Sequence, residues 1–253
     1  MEWSSAASPE LSFRERFGGR DVGLVPVGAV EQHGPHLPVG TDAIVADAVC
    51  AAAARLCGAV VLPAIPVGVS YGHGTALPGT LSLSPELLAA TIRQYAAWAA
   101  TSGLCRLLFV NAHFGNVAAI STATDHLRLF RPDLRVGVVS WWEASPEVTV
   151  EVLADGADIH ANRAETSMVL AVAPDLVHLD RLMDADDPDR SAGLVFRYTA
   201  PSLSTNGTTG RPSEATAELG HHLLRLAASA VAELVTRGRL EEPPFGPPPS
   251  PAL

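Results

Sequence analysis

Four short apolar runs set the limits on what this chain can become. "VGLVPVGAV", "AVVLPAIPVGV", "RLLFVN" and "RVGVVSWW" are each bounded by turn-forming residues. Continuous apolar runs of this length suit strands buried on both faces, the kind found in parallel sheets covered by helices. The segments between them carry helix signals. "DAIVADAVCAAAARLCG" is alanine-rich and stopped by Gly58, while "SPELLAATIRQYAAWAATSG" opens with Ser84 as N-cap, Pro85 in the first helical position and Glu86 in the first turn. "NVAAISTATDHLRLF" and "SPEVTVEVLAD" continue the alternation. Strand followed by helix, repeated along the chain, predicts an α/β fold of three layers, α/β/α, with a mostly parallel central sheet.

The later region departs from that rhythm. "HANRAETSMVLAV" predicts a short helix, "GLVFRYTAPSLSTNGTTGRP" extended loops or strands, and "SEATAELGHHLLRLAASAVAELVTRG" a long closing helix. A single domain is expected over residues 1–240, followed by a flexible, proline-rich tail, "EEPPFGPPPSPAL", over 241–253. With 253 residues the chain can bury a core without disulfides. Cys50, Cys57 and Cys105 lie scattered in apolar surroundings, so neither a disulfide framework nor a CxxC metal site is readable. A net charge of -10 with no basic cluster argues against nucleic-acid partners. No secretory pattern opens "MEWSSAASPELSFRERFGGRD", and Asp47, Arg55, Pro63 and Pro66 interrupt the most apolar long stretch. The expectation is a soluble, cytoplasmic protein without a membrane partner.

In a parallel sheet, ligands bind in the crevice outside the carboxyl ends of the strands. Glu31 and His33 directly follow the first strand in "VGAVEQHGPHLPVGTD", and His113 in "FVNAHFGN" follows the third. Residues two apart on extended chain point to the same side, so Glu31 and His33 can face one pocket. Asp42 falls at the start of the next helix, where the macrodipole favours a carboxylate. In "DIHANRAETS", His160 precedes a helix whose first turn carries Glu165, able to aim back at the strand ends. Each residue alone has a bland explanation: a backbone cap, an exposed loop histidine, an ordinary first-turn glutamate. Together they form a cluster of carboxylates and imidazoles that repels itself unless a cation neutralises it. Such a set suits zinc, manganese or iron, and a bridging carboxylate would allow two ions about 3.5–4 Å apart.

A competing pattern is "GVSYG", which would make Ser70 an acyl-transfer nucleophile if a helix followed at once. Gly72, Gly74, Pro78 and Gly79 oppose that helix, so the segment reads better as a pocket-lining loop offering Ser70 and His73 to a substrate. Neither GxGxxG nor GxxxxGK[ST] follows a strand, which argues against a nucleotide site.

"PVGAVEQHGPHLPVGTD", "GTLSLS", "FVNAHFGN", "HANRAETS" and "GRPSEATAELG", in this order over most of residues 22–237, resemble the creatininase (creatinine amidohydrolase) family. The resemblance implies a metal-dependent hydrolase of carbon–nitrogen bonds, usually hexameric, with two divalent ions, zinc foremost, at the carboxyl ends of a parallel sheet. It implies Glu31, His33, Asp42, His113 and Glu165 as metal ligands, with Asp42 bridging, and His160 as the acid–base residue. A dinuclear-metal-bound hydroxide would attack the amide-type carbonyl, and His160 would protonate the leaving nitrogen. One position departs from creatininase itself: Gly115 stands where a glutamate ligand is expected, which puts creatinine as substrate in doubt. Trp142, at the end of the fourth strand, is a candidate aromatic wall over a substrate, with packing as the role favoured for a strand-end aromatic. Three readings follow. The first is an amidohydrolase of a small cyclic amide, ureide or formamide; the second is a peptidase of the mycofactocin-maturation type; the third is a catalytically silent binding protein.

Overall fold

The computed structural model describes residues 21–156 and 158–246. Four parallel strands, β1 (Val22–Val27), β2 (Val60–Val61), β3 (Arg106–Asn111) and β4 (Arg135–Ser140), form one sheet in the order β2-β1-β3-β4. All four apolar runs become strands, but the second shrinks to two residues. Pro63 and Pro66 bring no N–H to a ladder, so pairing beyond Val61 is reduced to Leu62 donating to the Leu24 carbonyl, Ile65 to that of Pro26 and Gly28 to that of Ile65. Register aligns Val27 with Asn111 and Asn111 with Ser140, so β1, β3 and β4 end level with one another.

The helices are α1 (Thr41–Cys57), α2 (Pro85–Thr101), α3 (Val117–Phe130), α4 (Pro146–Val152), α5 (Arg163–Val172), a single turn α6 (Ala200–Leu203) and α7 (Ala217–Leu240). Their ends follow the local chemistry. Ser84, Ser145 and Thr216 accept from the N–H groups of Leu87, Val148 and Leu219, and Gly58 closes α1 in the left-handed conformation at φ 68. Residues 193–212, expected as extended loops or strands, are irregular chain around α6: polar side chains satisfy the backbone of Thr205, Gly207 and Thr208, and only isolated bridges form, at Thr209 with His160 and at Gly210 with Asp187.

Alternation along the strands assigns the two faces. Leu24, Leu108 and Val110 point into a core with α1, α4, α5 and α7, through Val45, Val148, Met168 and Leu223. Val25, Val27, Leu107 and Phe109 point the other way, onto Leu88 and Ile92 of α2 and Ile120 and Leu127 of α3. Each such buried side chain contributes roughly 1.5–3 kcal/mol, so packing on both faces outweighs any one helix's propensity. The first residues of the expected tail are tied down: Arg135 donates to the Glu241 carbonyl at 2.7 Å and pairs with Glu242 at 2.6 Å. Positions 247–253 lie outside the described residues. No helix among the described residues is long and apolar enough to cross a membrane.

Candidate metal centre

Level strand ends gather the polar clusters on one side of the sheet. Beyond β1 the chain turns at Gly28, where a Cβ would lie 2.5 Å from the Ala43 Cα; only glycine lets the start of α1, and Asp42 with it, approach this closely. Glu31 N–H then closes on the Val39 carbonyl at 2.9 Å, directing its side chain inward. After β3, the Asn111 side chain holds both backbone groups of His113, accepting from its N–H and donating to its carbonyl. His160 is followed by Ala161 at φ 50, the one non-glycine residue with positive φ among the described residues. That left-handed step reverses the chain between His160 and α5, and Asn162 caps the helix by accepting from the Glu165 N–H at 3.1 Å. Glu165 thereby stands in the first turn with its carboxylate buried.

The result is a compact group. His33 Nε2 lies 3.3 Å from Asp42 Oδ1, His113 Nδ1 3.4 Å from Asp42 Oδ2, and His113 Nε2 3.2 Å from Glu31 Oε2. His73 Nε2 and His160 Nδ1 face Glu31 Oε1 at 3.1 and 3.6 Å. Three overlapping sets could each hold an ion: Glu31, His33 and Asp42; His33, His160 and Glu165; Glu31, His73 and His160. Each of the sequence-proposed ligands Glu31, His33, Asp42 and Glu165 falls in at least one set, and His113 contacts both Glu31 and Asp42.

Two observations make this set fit divalent cations. Glu31 Oε2, His33 Nε2, Asp42 Oδ2 and Glu165 Oε2 are buried with no hydrogen-bond partner, a costly arrangement for polar atoms that converge. Backbone carbonyls also fix the imidazoles. His33 Nδ1 donates to the Glu31 carbonyl at 3.1 Å, His113 Nε2 to that of Val69 at 2.9 Å and His160 Nε2 to that of Gln32 at 2.6 Å. A carbonyl only accepts, so in each neutral ring the other nitrogen is bare and faces the carboxylates.

The field inside the group also favours positive charge. Burial works against a charged His33, but Asp42 and then Glu31 raise its pKa to about 10; His113 is likewise raised, against burial, to about 9 by Glu31 and Asp42. Burial, with Asp42 and Glu31 adding to it against the attraction of His33, raises Glu165 to about 7. Burial also opposes ionisation of Glu31, yet His113, His73 and His160 hold it well below the usual carboxylate range. His160 is pushed well below its ordinary value by burial, then by His33 and His73, which keeps its Nδ1 unprotonated.

A cavity of about 390 Å3 opens onto the group. Ser70 and His73 line it, and the Ser70 hydroxyl is buried without a partner. Tyr71–His73 form a 3-10 turn rather than an α-helix, so Ser70 does not sit on a nucleophile elbow. Trp142 takes the packing role rather than that of a substrate wall: it is buried, and Phe114, stacked on it with ring centroids 3.9 Å apart, lines the cavity. Gly115 leaves no room for the absent glutamate: a Cβ there would lie 2.0 Å from the Val69 carbonyl and 2.5 Å from His113 Nε2. Sequence reasoning missed Phe114 in the wall and Gln32 beneath the group; it assigned specificity to the segment from Gly193 to Arg211 without singling out Arg197 and Tyr198 within it. For Gln32 the signal was its place between Glu31 and His33; nothing in the spacing marked the others.

A family model described as creatininase, creatinine amidohydrolase, matches residues 7–235. Creatinine amidohydrolase from Pseudomonas putida is 33% identical over 254 residues, spanning 93% of this chain and 96% of that protein. The mycofactocin precursor peptide peptidase of Mycolicibacterium smegmatis is 32% identical over 228 residues, spanning 85% and 84% respectively. A solved mutant creatininase of the Zn-Zn type superposes with a TM-score of 0.78 at 30% identity, covering 93% of this chain and 97% of that one. A manganese creatininase gives 0.79 at 30% identity, with the same coverage of both chains. With its sheet, its strand-end cluster and these matches in agreement, this chain belongs to the creatininase family, a family of hydrolases of carbon–nitrogen bonds.

Proposed function

We propose that this protein is a metal-dependent amidohydrolase that cleaves the amide-type bond of a small, cyclic amide, ureide or formamide. The observation carrying this reading is the convergence of buried, partnerless carboxylate oxygens and bare imidazole nitrogens at the base of the cavity. In the proposal Glu31, His33, Asp42, His113 and Glu165 hold two divalent ions, zinc or alternatively manganese or iron, with Asp42 shared between them. Asp42 suits that role because its two oxygens face different imidazoles, those of His33 and His113. Bound there, the ions would polarise the carbonyl of the scissile bond and lower the pKa of water towards neutrality.

His160 does the proton work. Its Nε2–H is committed to the Gln32 carbonyl, so proton traffic passes through Nδ1, which is bare and aimed into the group. That nitrogen takes a proton from the attacking water and returns it to the leaving nitrogen. Ser70, Phe114 and the Arg197–Tyr198 segment form the walls that orient the substrate. Gly115 in place of a ligating carboxylate argues for a substrate other than creatinine.

The similarity to mycofactocin precursor peptidases favours a second reading, removal of a short peptide from a modified precursor. Assembly as a cytoplasmic homohexamer belongs to the proposal too, supported by an exposed apolar groove along α2 at Leu87, Tyr95 and Trp98 and tested by sedimentation. A hydrolysis screen of the metal-reconstituted protein against creatinine, cyclic ureides, formamides and short peptides tests the reading, with Asp42→Ala as control. Turnover of a ring amide or formamide is the expected outcome. Cleavage confined to peptides would favour the second reading, and none at all would favour a silent binding protein.

A further inference from the structure

Four imidazoles surround Glu31 and Asp42, and one of them is held differently. His33, His113 and His160 each donate to a backbone carbonyl and turn a bare nitrogen inward. His73 has no such carbonyl: its Nδ1 lies 2.9 Å from the side-chain nitrogen of Gln32. Backbone groups set the Gln32 amide at both ends, since its Oε1 accepts from the Gly34 N–H at 3.0 Å and its Nε2 donates to the Gly207 carbonyl at 2.9 Å. Turning the amide over would set oxygen against oxygen and N–H against N–H. The second Nε2–H of Gln32 therefore points at His73 Nδ1, which must accept. In the neutral ring the remaining hydrogen then sits on Nε2, which faces Glu31 Oε1 at 3.1 Å.

We infer that His73 is a positioning residue rather than a cation ligand: with its tautomer set by Gln32, it donates to Glu31 Oε1 and so leaves Oε2 to the ion. The two carboxylate oxygens fit this division. Oε1 has the His73 N–H, whereas Oε2 is buried without a partner and lies 3.2 Å from His113. Ligating carboxylates are commonly oriented by such outer hydrogen bonds. The inference excludes one of the three geometrically possible ion sets, that of Glu31, His73 and His160, because its His73 corner carries a hydrogen where a ligand needs a lone pair. It rests on the cation-binding reading above for its consequence, but not for the tautomer itself.

The test uses the full-length protein titrated with zinc. The imidazole nitrogen NMR signals of His73, assigned by their loss in His73→Asn, are expected to show a protonated Nε2 and a bare Nδ1 with zinc bound. Signals of the opposite tautomer, or of a zinc-bound Nε2, would overturn the inference. Zinc affinity against a competing chelator supplies the second readout. His73→Gln, which keeps an N–H donor, should bind zinc within a few-fold of the parent. His73→Phe should bind the same number of ions at saturation, with affinity weaker by about 10–100-fold. Loss of one zinc per chain at saturation in both variants, with melting unchanged, would identify His73 as a ligand and sink the proposal. Gln32→Glu, which offers an acceptor in place of the donor, should invert the His73 tautomer. If the parent protein bound no zinc while the NMR pattern held, the functional reading would fail and the tautomer assignment would stand.

Discussion

The base of the cavity and its outer wall are built in opposite ways. At the base, Glu31, His33, Asp42, His113 and Glu165 are buried, His160 is nearly so, and backbone carbonyls or caps from the sheet edge and α5 fix their neighbours. In the wall, Arg197 and Tyr198 are exposed on irregular chain beside Leu194, Val195 and Phe196, also exposed. That segment hangs on Asp187, which accepts from the Ser204 hydroxyl at 2.9 Å and the Thr205 N–H at 2.7 Å, and on Arg190, which donates to the Leu203 carbonyl at 2.9 Å. The base has atoms placed for one chemistry; the wall is held by side-chain hydrogen bonds that a few substitutions could redraw. Within such a fold, reaction type belongs to the first region and substrate choice to the second.

Substitutions should separate the regions in graded fashion. Asp42→Asn, which keeps the shape but weakens the carboxylate proposed as shared, should strip metal and lower turnover by more than the roughly 100-fold that loss of an outer partner costs. Elemental analysis and a kinetic assay check this together, and unchanged metal content would break the contrast at its base. His160→Ala should lower turnover by about 10^2–10^4-fold while metal content stays intact. Full turnover would remove His160 from the proton role. In the wall, Arg197→Ala should change KM by roughly 10-fold for the preferred substrate, leaving metal content and turnover nearly unaffected. A wall variant that loses metal would show the regions to be coupled.

The smallest effect concerns pH. Burial works against the charge of Asp187, but Arg190, the Thr205 N–H and the Ser204 hydroxyl hold its pKa at about 2 against an ordinary 3.8. A carboxyl with a depressed folded pKa stabilises the fold above the unfolded value, and that contribution disappears as pH falls through the folded one. Wall protection in hydrogen exchange should therefore weaken between about pH 4 and pH 2. Asp187→Asn should lose protection above about pH 4, converge with the parent towards pH 2 and so show a flatter profile in that window.

The sequence was legible where chemistry sits next to regular structure. Glu31 and His33 follow β1 and His113 follows β3, so knowing where the strands end was enough to bring these residues to one edge. Glu165 was readable as a first-turn carboxylate aimed back at that edge. Legibility failed where a local backbone choice decides orientation. Trp142 packs as favoured, but it does so in a 3-10 turn, Trp141–Glu143, that sets Phe114 over its ring as the wall residue, and periodicity does not foresee such a turn. The second strand lost most of its length to Pro63 and Pro66, which were read as breaks against a membrane span but not as limits on the strand. Residues 193–212 offered turn-forming composition without a pattern, because hydrogen bonds to Asp187, 17 and 18 residues distant from Ser204 and Thr205, shape them. The tail's start at Glu241 and Glu242 is pinned by Arg106 and Arg135, partners far more remote in sequence, 106 to 136 residues away.

The central claim is that the buried charge at the base answers to metal cations. Protons on His33 and His113, whose pKa values are raised to about 10 and 9, would answer the same charge. Elemental analysis of the gently purified protein discriminates between the two. The account predicts about two equivalents of divalent metal per chain, displaced by a strong chelator and recovered on adding zinc or manganese. A correctly folded protein that neither carries nor takes up metal would contradict it.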